Sequence, residues 1–449
     1  MLAGNFHRLG PDPDRVFSSC VQSAVVDQLF GMSRDCALVA AGTSGDTQCL
    51  VWHGFLERLS ERRSAIILHP TFRYWLQAMR RSGHASRNTS SVQFCSHLRD
   101  LVWAEAILAG IAPEQMEVVA DSLGGLRCPS LGRHIELGKS FAKRSVRVSS
   151  AQDEVVLSCD DGMVVRIPRA DLLGAEIETP LPTIEANGYE LTLFDKLASG
   201  HIQVSNRDEW LKAKLTGTNQ RTDGIDFYQV DDELYPLQNS SGVLTAALEE
   251  ICAHWPEVYA DLQLFVRVIV PICASVAQRR TVPQASGRRN FAFTVSSRQG
   301  AVYIGDSELD ETIEMLLHEF AHVKLRQIQA IDPLLVDPLD ESIRVSVPWR
   351  EDKRPLPGVL EGLYVFTHVA EYELRRFVGG INALAPLLER RLHALRFASG
   401  CLKSQARVTA AGHEFLDWMD NWVSSLERRL ETQTRGRCET GINSQSLTP

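Results

Sequence analysis

The chain has 449 residues, 44% hydrophobic and 23% charged, with a net charge of -9. That length allows two or three domains with ample core, and an acidic balance without a dense Lys/Arg block disfavours non-specific nucleic-acid binding. No apolar run reaches the ~20 residues needed to cross a bilayer, so no membrane partner is expected, and ten cysteines scattered singly argue against a sulfur-ligated zinc or iron–sulfur site. The opening Met-Leu-Ala-Gly-Asn-Phe-His-Arg has no signal-peptide pattern. A reduced, cytoplasmic protein is the expectation.

The first 140 residues read as mainly helical, with helical apolar spacing over Arg15 to Phe30, Phe72 to Met79 and Ser96 to Leu108. Gly83, Ser86, Asn88 and Ser90 mark a loop between the last two. Arg62, Arg63, Arg73, Arg80 and Arg81 form a basic patch, read as solvated helix surface. Residues 141 to 180 read as a β-rich connector. Val146 to Val148, Glu154 to Cys159 and Met163 to Ile167 are strand candidates, the last two joined by the hairpin signal Asp160-Asp161-Gly162. Pro180, Pro182 and Asn187-Gly188 mark a boundary near residue 180, and Tyr189 to Phe194 alternates as a strand.

From 181 to 430 the pattern is that of a mainly helical domain with a few strands. Arg207 to Lys214 suggests a short helix. Val243 to Trp255 and Glu257 to Phe265 predict helices broken at Pro256. Phe265 to Val270 is rich in β-branched residues and could be a strand. Phe291 to Val295 and Ala301 to Ile304 predict strands, whose edge, beside the next helix, could hold an extended peptide by backbone pairing. Further helices are expected over Val359 to Phe377, Leu384 to Phe397 and Gly412 to Leu430. Glu431 to Pro449 reads as a frayed tail. The expected fold class is α+β: a helical N-terminal part, a small β-rich middle and a mainly helical C-terminal metal domain.

That last region carries His318-Glu319-Phe320-Ala321-His322. Ile313, Leu316, Leu317 and Phe320 give it a helical apolar stripe, and Pro333 ends it. Two histidines four apart lie on one helix face and can reach one metal ion, with Glu319 beside it. The metzincin continuation is absent, because Leu325 and Ile328 stand where it requires Gly and His. A third ligand must come from elsewhere. Glu361 is the first candidate and His368 the second, two turns apart on the following helix. Their ordinary readings are a helix-dipole partner and a packed histidine. Gly412-His413-Glu414-Phe415-Leu416-Asp417 nearly repeats the motif, but Asp417 replaces the second His, so it reads as a helix start.

Such ligands serve two chemistries. With zinc, Glu319 would be the general base on a bound water, giving peptide hydrolysis. With Fe(II), two His and a carboxylate leave positions for a 2-oxo acid and dioxygen. A 2-oxoglutarate cosubstrate also needs a cation for its far carboxylate, and Arg350, Arg354 and Lys324 lie near the motif in sequence.

Leu317-His318-Glu319-Phe320-Ala321-His322-Val323-Lys324-Leu325, Pro348-Trp349-Arg350-Glu351-Asp352-Lys353-Arg354-Pro355-Leu356, Gly358-Val359-Leu360-Glu361-Gly362-Leu363-Tyr364 and Val408-Thr409-Ala410-Ala411-Gly412-His413-Glu414-Phe415 together resemble the HEXXH motif domain family. That family includes the 2-oxoglutarate-dependent HExxH-type peptide β-hydroxylases of ribosomal peptide natural-product pathways. The resemblance spans roughly residues 180 to 425. It implies Fe(II), 2-oxoglutarate, dioxygen and a precursor-peptide substrate, with His318 and His322 as iron ligands. It leaves the third ligand and the role of Glu319 open. A zinc peptidase of gluzincin type and a non-catalytic module that holds a precursor peptide are the other readings.

Overall fold

The computed structural model describes residues 15–44, 58, 68–74, 76, 89–110, 116–121, 124–173, 188–193, 195–197, 201–205, 240–272, 292–305 and 307–445. The protein is mixed α+β, and its contacts divide it into two compact units. One contains residues 26–224 and 295–301; the other contains 1–25, 225–294 and 302–449. Helix α1 (Arg15–Ser44) crosses the division in sequence. No helix among the described residues is long and apolar enough to cross a membrane.

The unit of residues 26–224 is built around α2 (Thr89–Leu108). Strand β1 (Met116–Val119) follows, then β2 (Gly125–Cys128) and β3 (Arg133–Glu136). These three strands fall in the stretch expected to be helical. Each is four residues long, too short to display a period, and each is fixed by antiparallel pairing to another strand. Strands β4 (Ser145–Ala151), β5 (Glu154–Ser158) and β6 (Val164–Pro168) follow. They form one sheet with β1, in the order β1-β4-β5-β6. The hairpin at Asp160-Asp161-Gly162 closes as its sequence predicts, with Gly162 at φ 88° and Cys159 N–H donating to Met163 C=O. After the short α3 (Arg169–Leu173), β7 (Glu190–Leu193) pairs with β3. A small hairpin, β8 (Asp195–Leu197) and β9 (Ile202–Val204), completes the described strands of this unit. Arg73, from the expected basic patch, is buried and donates to Gln299. Arg62, Arg63, Arg80 and Arg81, the boundary near 180 and the expected helix at Arg207 to Lys214 lie outside the described residues.

The other unit opens with α4 (Ser240–His254) and α5 (Pro256–Phe265), separated where Pro256 begins a new helix. Strand β10 (Val268–Ile272) is buried at every position and lies beside β12 (Ala301–Gly305), which pairs antiparallel with β11 (Ala292–Phe293). Helix α6 (Leu309–Ile331) carries both motif histidines. Its first turn is closed by a reciprocal cap between Glu308 and Glu311. Two short strands, β13 (Arg344–Val345) and β14 (Arg354–Pro355), clamp the Pro- and Arg-rich loop at its base. Helices α7 (Leu356–Val378), α8 (Ala385–Gln405) and α9 (Ala410–Gln445) finish the unit. Helix α9 continues well into the expected tail.

Helix α6 is sandwiched by α4, α5 and α7, and α7 in turn packs on α8 and α9. Gln22 of α1 donates to Gln327 of α6 across 2.7 Å. The start of α9 explains its motif as architecture. Thr409 caps the helix by accepting from Gly412 N–H, and its own hydroxyl donates to Pro333 C=O. A β-carbon at Gly412 would lie 2.0 Å from the Leu334 carbonyl oxygen, so only glycine permits this approach.

Candidate metal centre

Helices α6 and α7 are interior helices, and their accessible positions define the site. Between Leu316 and Ile328, every residue of α6 is buried except His318, His322 and Arg326. These recur at four-residue spacing and form one stripe. Between Val359 and Leu374, every residue of α7 is buried except Glu361 and Phe366. The two sets face each other. His322 meets Glu361, and His318 meets Phe366 with ring centroids 5.2 Å apart. The helices therefore run in opposite directions across the site.

Nδ1 of His322 lies 3.0 Å from Oε2 of Glu361. The contact does not meet the geometry of an N–H···O hydrogen bond, and this buried ring nitrogen makes none elsewhere, although Glu361 is its charge partner. An imidazole nitrogen and a carboxylate oxygen 3.0 Å apart are close enough for both to bind one ion. An orphaned imidazole nitrogen at that distance from a carboxylate is a fitting pair of donors. The His318 ring is 5.0 Å from that of His322, at 62°. Among the described residues, no group of three or more His, Cys, Asp or Glu side chains is arranged so that it could hold a metal ion. Donor types and the orphaned nitrogen fit a metal; His318 is adjacent to the pair but not converged with it.

The electrostatics suit coordination. Burial, with the nearby charges of His322 and Arg391, pushes the His318 imidazole down to about 3, so it is neutral at neutral pH. Burial alone would raise the Glu361 carboxyl, but contact with His322 and the charge of Arg326 hold it down at about 2. Arg326 Nη2 is 3.6 Å from Glu361, and its Nη1 donates to Thr294 Oγ1 at 2.9 Å. Glu319 is only 4% exposed and is hydrogen-bonded to the same Thr294. Burial pushes its carboxyl up, opposed by His322 and Arg326.

The other sequence candidates are placed elsewhere. Lys324 is fully buried and ion-paired with Asp261 of α5, with its ammonium 5.6 Å from the Phe265 ring. It has left the histidine stripe for the interior. His368 is buried among Trp255, Trp422 and Phe320, and its Nδ1 lies 2.9 Å from the Tyr364 carbonyl oxygen. It is a core histidine, while Glu361 on the same helix reaches the stripe. Arg350 is exposed and donates to Asp352 at 2.7 Å. Arg354 is 37% exposed, 3.8 Å from Asp352, and feels the charge of Glu361. Sequence reading missed Arg326 and Thr294. Arg326 was legible as the next step of the 318-322 spacing; Thr294 was not, because only folding brings it to α6.

No protein-family model matches the chain. No curated protein matches it either.

Proposed function

We propose that the chain is an Fe(II)- and 2-oxoglutarate-dependent oxygenase that hydroxylates a β-carbon of a residue in a ribosomally made precursor peptide. The observation that carries the reading is the accessible stripe of two interior helices: His318 and His322 opposite Glu361, with a buried imidazole nitrogen left without a hydrogen bond. Two imidazole nitrogen donors and one carboxylate are the set that suits non-haem Fe(II). Bound iron would supply oxidation of a C–H bond to C–OH, with dioxygen reduced and 2-oxoglutarate converted to succinate and carbon dioxide.

The chain's own residues would prepare that chemistry. His318, kept unprotonated by burial, offers its lone pair without first losing a proton. Glu361 stays ionised beside His322. Arg326 lies 3.6 Å from the same Glu361 oxygen that His322 meets and shares the accessible stripe, which makes it a cation placed to meet an anionic cosubstrate. Arg354, which feels the charge of Glu361, is a second candidate. Glu319 is buried against Thr294 rather than presented in the stripe, which favours an oxygenase over a hydrolase that needs this carboxylate as a water-activating base.

The test is anaerobic loading with Fe(II), followed by admission of oxygen and measurement of succinate formed from 2-oxoglutarate. Succinate should form in the wild type and be lost in His318→Ala, His322→Ala and Glu361→Ala, while His368→Phe retains it. Oxygen-independent cleavage of peptide bonds by zinc-loaded protein, with no succinate from the iron form, would overturn the reading in favour of a peptidase.

A further inference from the structure

We propose that Trp349 and Phe366 form an aromatic shelf beside the histidine pair, which takes the flat apolar part of a ligand held there. The inference rests on the metal reading of His318 and His322 and assigns a specificity-determining surface to that same site. Phe366 is one of two accessible positions in the middle of α7, and its ring lies against His318. Trp349 packs on Phe366 with ring centroids 5.2 Å apart, tilted by 48°. Three aromatic groups thus run in sequence from the loop to the metal helix.

This arrangement is built into the chain on both sides. A β-carbon at Gly362 would lie 2.8 Å from Cζ2 of Trp349, so the helix gives up a side chain next to Glu361 to admit the indole. The loop that carries Trp349 is pinned at its base by Val345 pairing with Arg354, and Arg350 N–H donates to Val347 C=O within it. Arg391 stands 5.5 Å from the Phe366 ring and is itself fixed by Glu373 and Glu314, which holds that ring in place.

A tryptophan that only anchors a loop has no need of open surface. The other described tryptophans, Trp103, Trp255, Trp418 and Trp422, are buried at 0–8% exposure, whereas Trp349 is partly exposed. Trp349 and Phe366 are both only partly buried beside the coordinating pair, and exposed aromatic surface attracts planar groups by offset or edge contacts. A group on this shelf would sit next to whatever His318 helps to hold.

The experiment uses the full chain loaded with Co(II), whose visible absorption reports ligand exchange, and two probes, acetohydroxamate and benzohydroxamate. Both chelate through the same atoms, and only the second carries a ring. The benzo-to-aceto affinity ratio should fall by about fivefold in Trp349→Leu, which keeps bulk over Gly362, and stay within about twofold of wild type in Trp349→Phe. An unchanged ratio in Trp349→Leu, including equal weakening of both probes, overturns the shelf and leaves the metal reading standing. Absence of a Co(II) spectrum in the wild type, or its survival in His318→Ala with His322→Ala, overturns the metal reading and the shelf with it. Should Trp349→Leu fail to fold, Phe366→Leu carries the same test.

Discussion

Replacing Lys324 by Met separates a structural lysine from a cosubstrate-binding one. The ammonium is 0% exposed and Asp261 is 3% exposed, so the pair has traded water for each other. Removing one partner strands a carboxylate in the interior of α5, which costs about 3–5 kcal/mol. Replacing both, as Lys324→Met with Asp261→Leu, removes the stranded charge and should return stability to within about 1 kcal/mol of wild type or above it. The assay is urea denaturation of the full chain for both single variants and the double, compared by midpoint at constant slope. Metal uptake of the double variant is measured alongside and should persist, because the ammonium lies off the histidine stripe. A stable Lys324→Met variant, or a double variant as weak as the single, would refute the buried-pair reasoning. A stable double variant that no longer takes up metal would return Lys324 to the site.

His368 should make the protein acid-sensitive. Burial, assisted by Lys324, depresses its imidazole from 6.5 to about 3, against a raising contact with the Tyr364 carbonyl. The unfolded chain therefore takes up the proton first, and the stabilisation is full above pH ~6.5 and is lost progressively down to pH ~3, at up to about 1.4 kcal/mol per pH unit. Denaturation midpoints across that window should fall less steeply in His368→Phe; parallel curves would show that His368 does not titrate in this way. Gly362→Ala should destabilise by about 1–3 kcal/mol through its contact with Trp349, and Trp349→Val in the same chain should relieve most of that, as a thermal-melt comparison of the two variants would show.

Much of this protein is legible in its sequence because it is local. The helix over 309–331 follows from an apolar period and ends before Pro333; the hairpin at Asp160-Asp161-Gly162 follows from a turn glycine; the break between α4 and α5 follows from Pro256. The stripe of His318 and His322 is also local, since four residues bring a helix side chain just past full circle. What the sequence leaves undecided is depth. Glu361 and His368 are seven residues apart, so spacing places them on the same side of α7. Yet Trp255 and Trp422, from the start of α5 and from α9, cover His368, while the Glu361 side chain stays 28% exposed. The same holds for Lys324, whose partner is 63 residues away on another helix, and for Glu319, drawn inward to Thr294. Strands β1 to β3 are short enough that their partners, not their own residues, make them strands. Periodicity assigns each residue a direction from its own helix axis; whether that direction leads to water, to a metal donor or to a core of tryptophans depends on chain segments far removed in sequence, and only packing brings those into place.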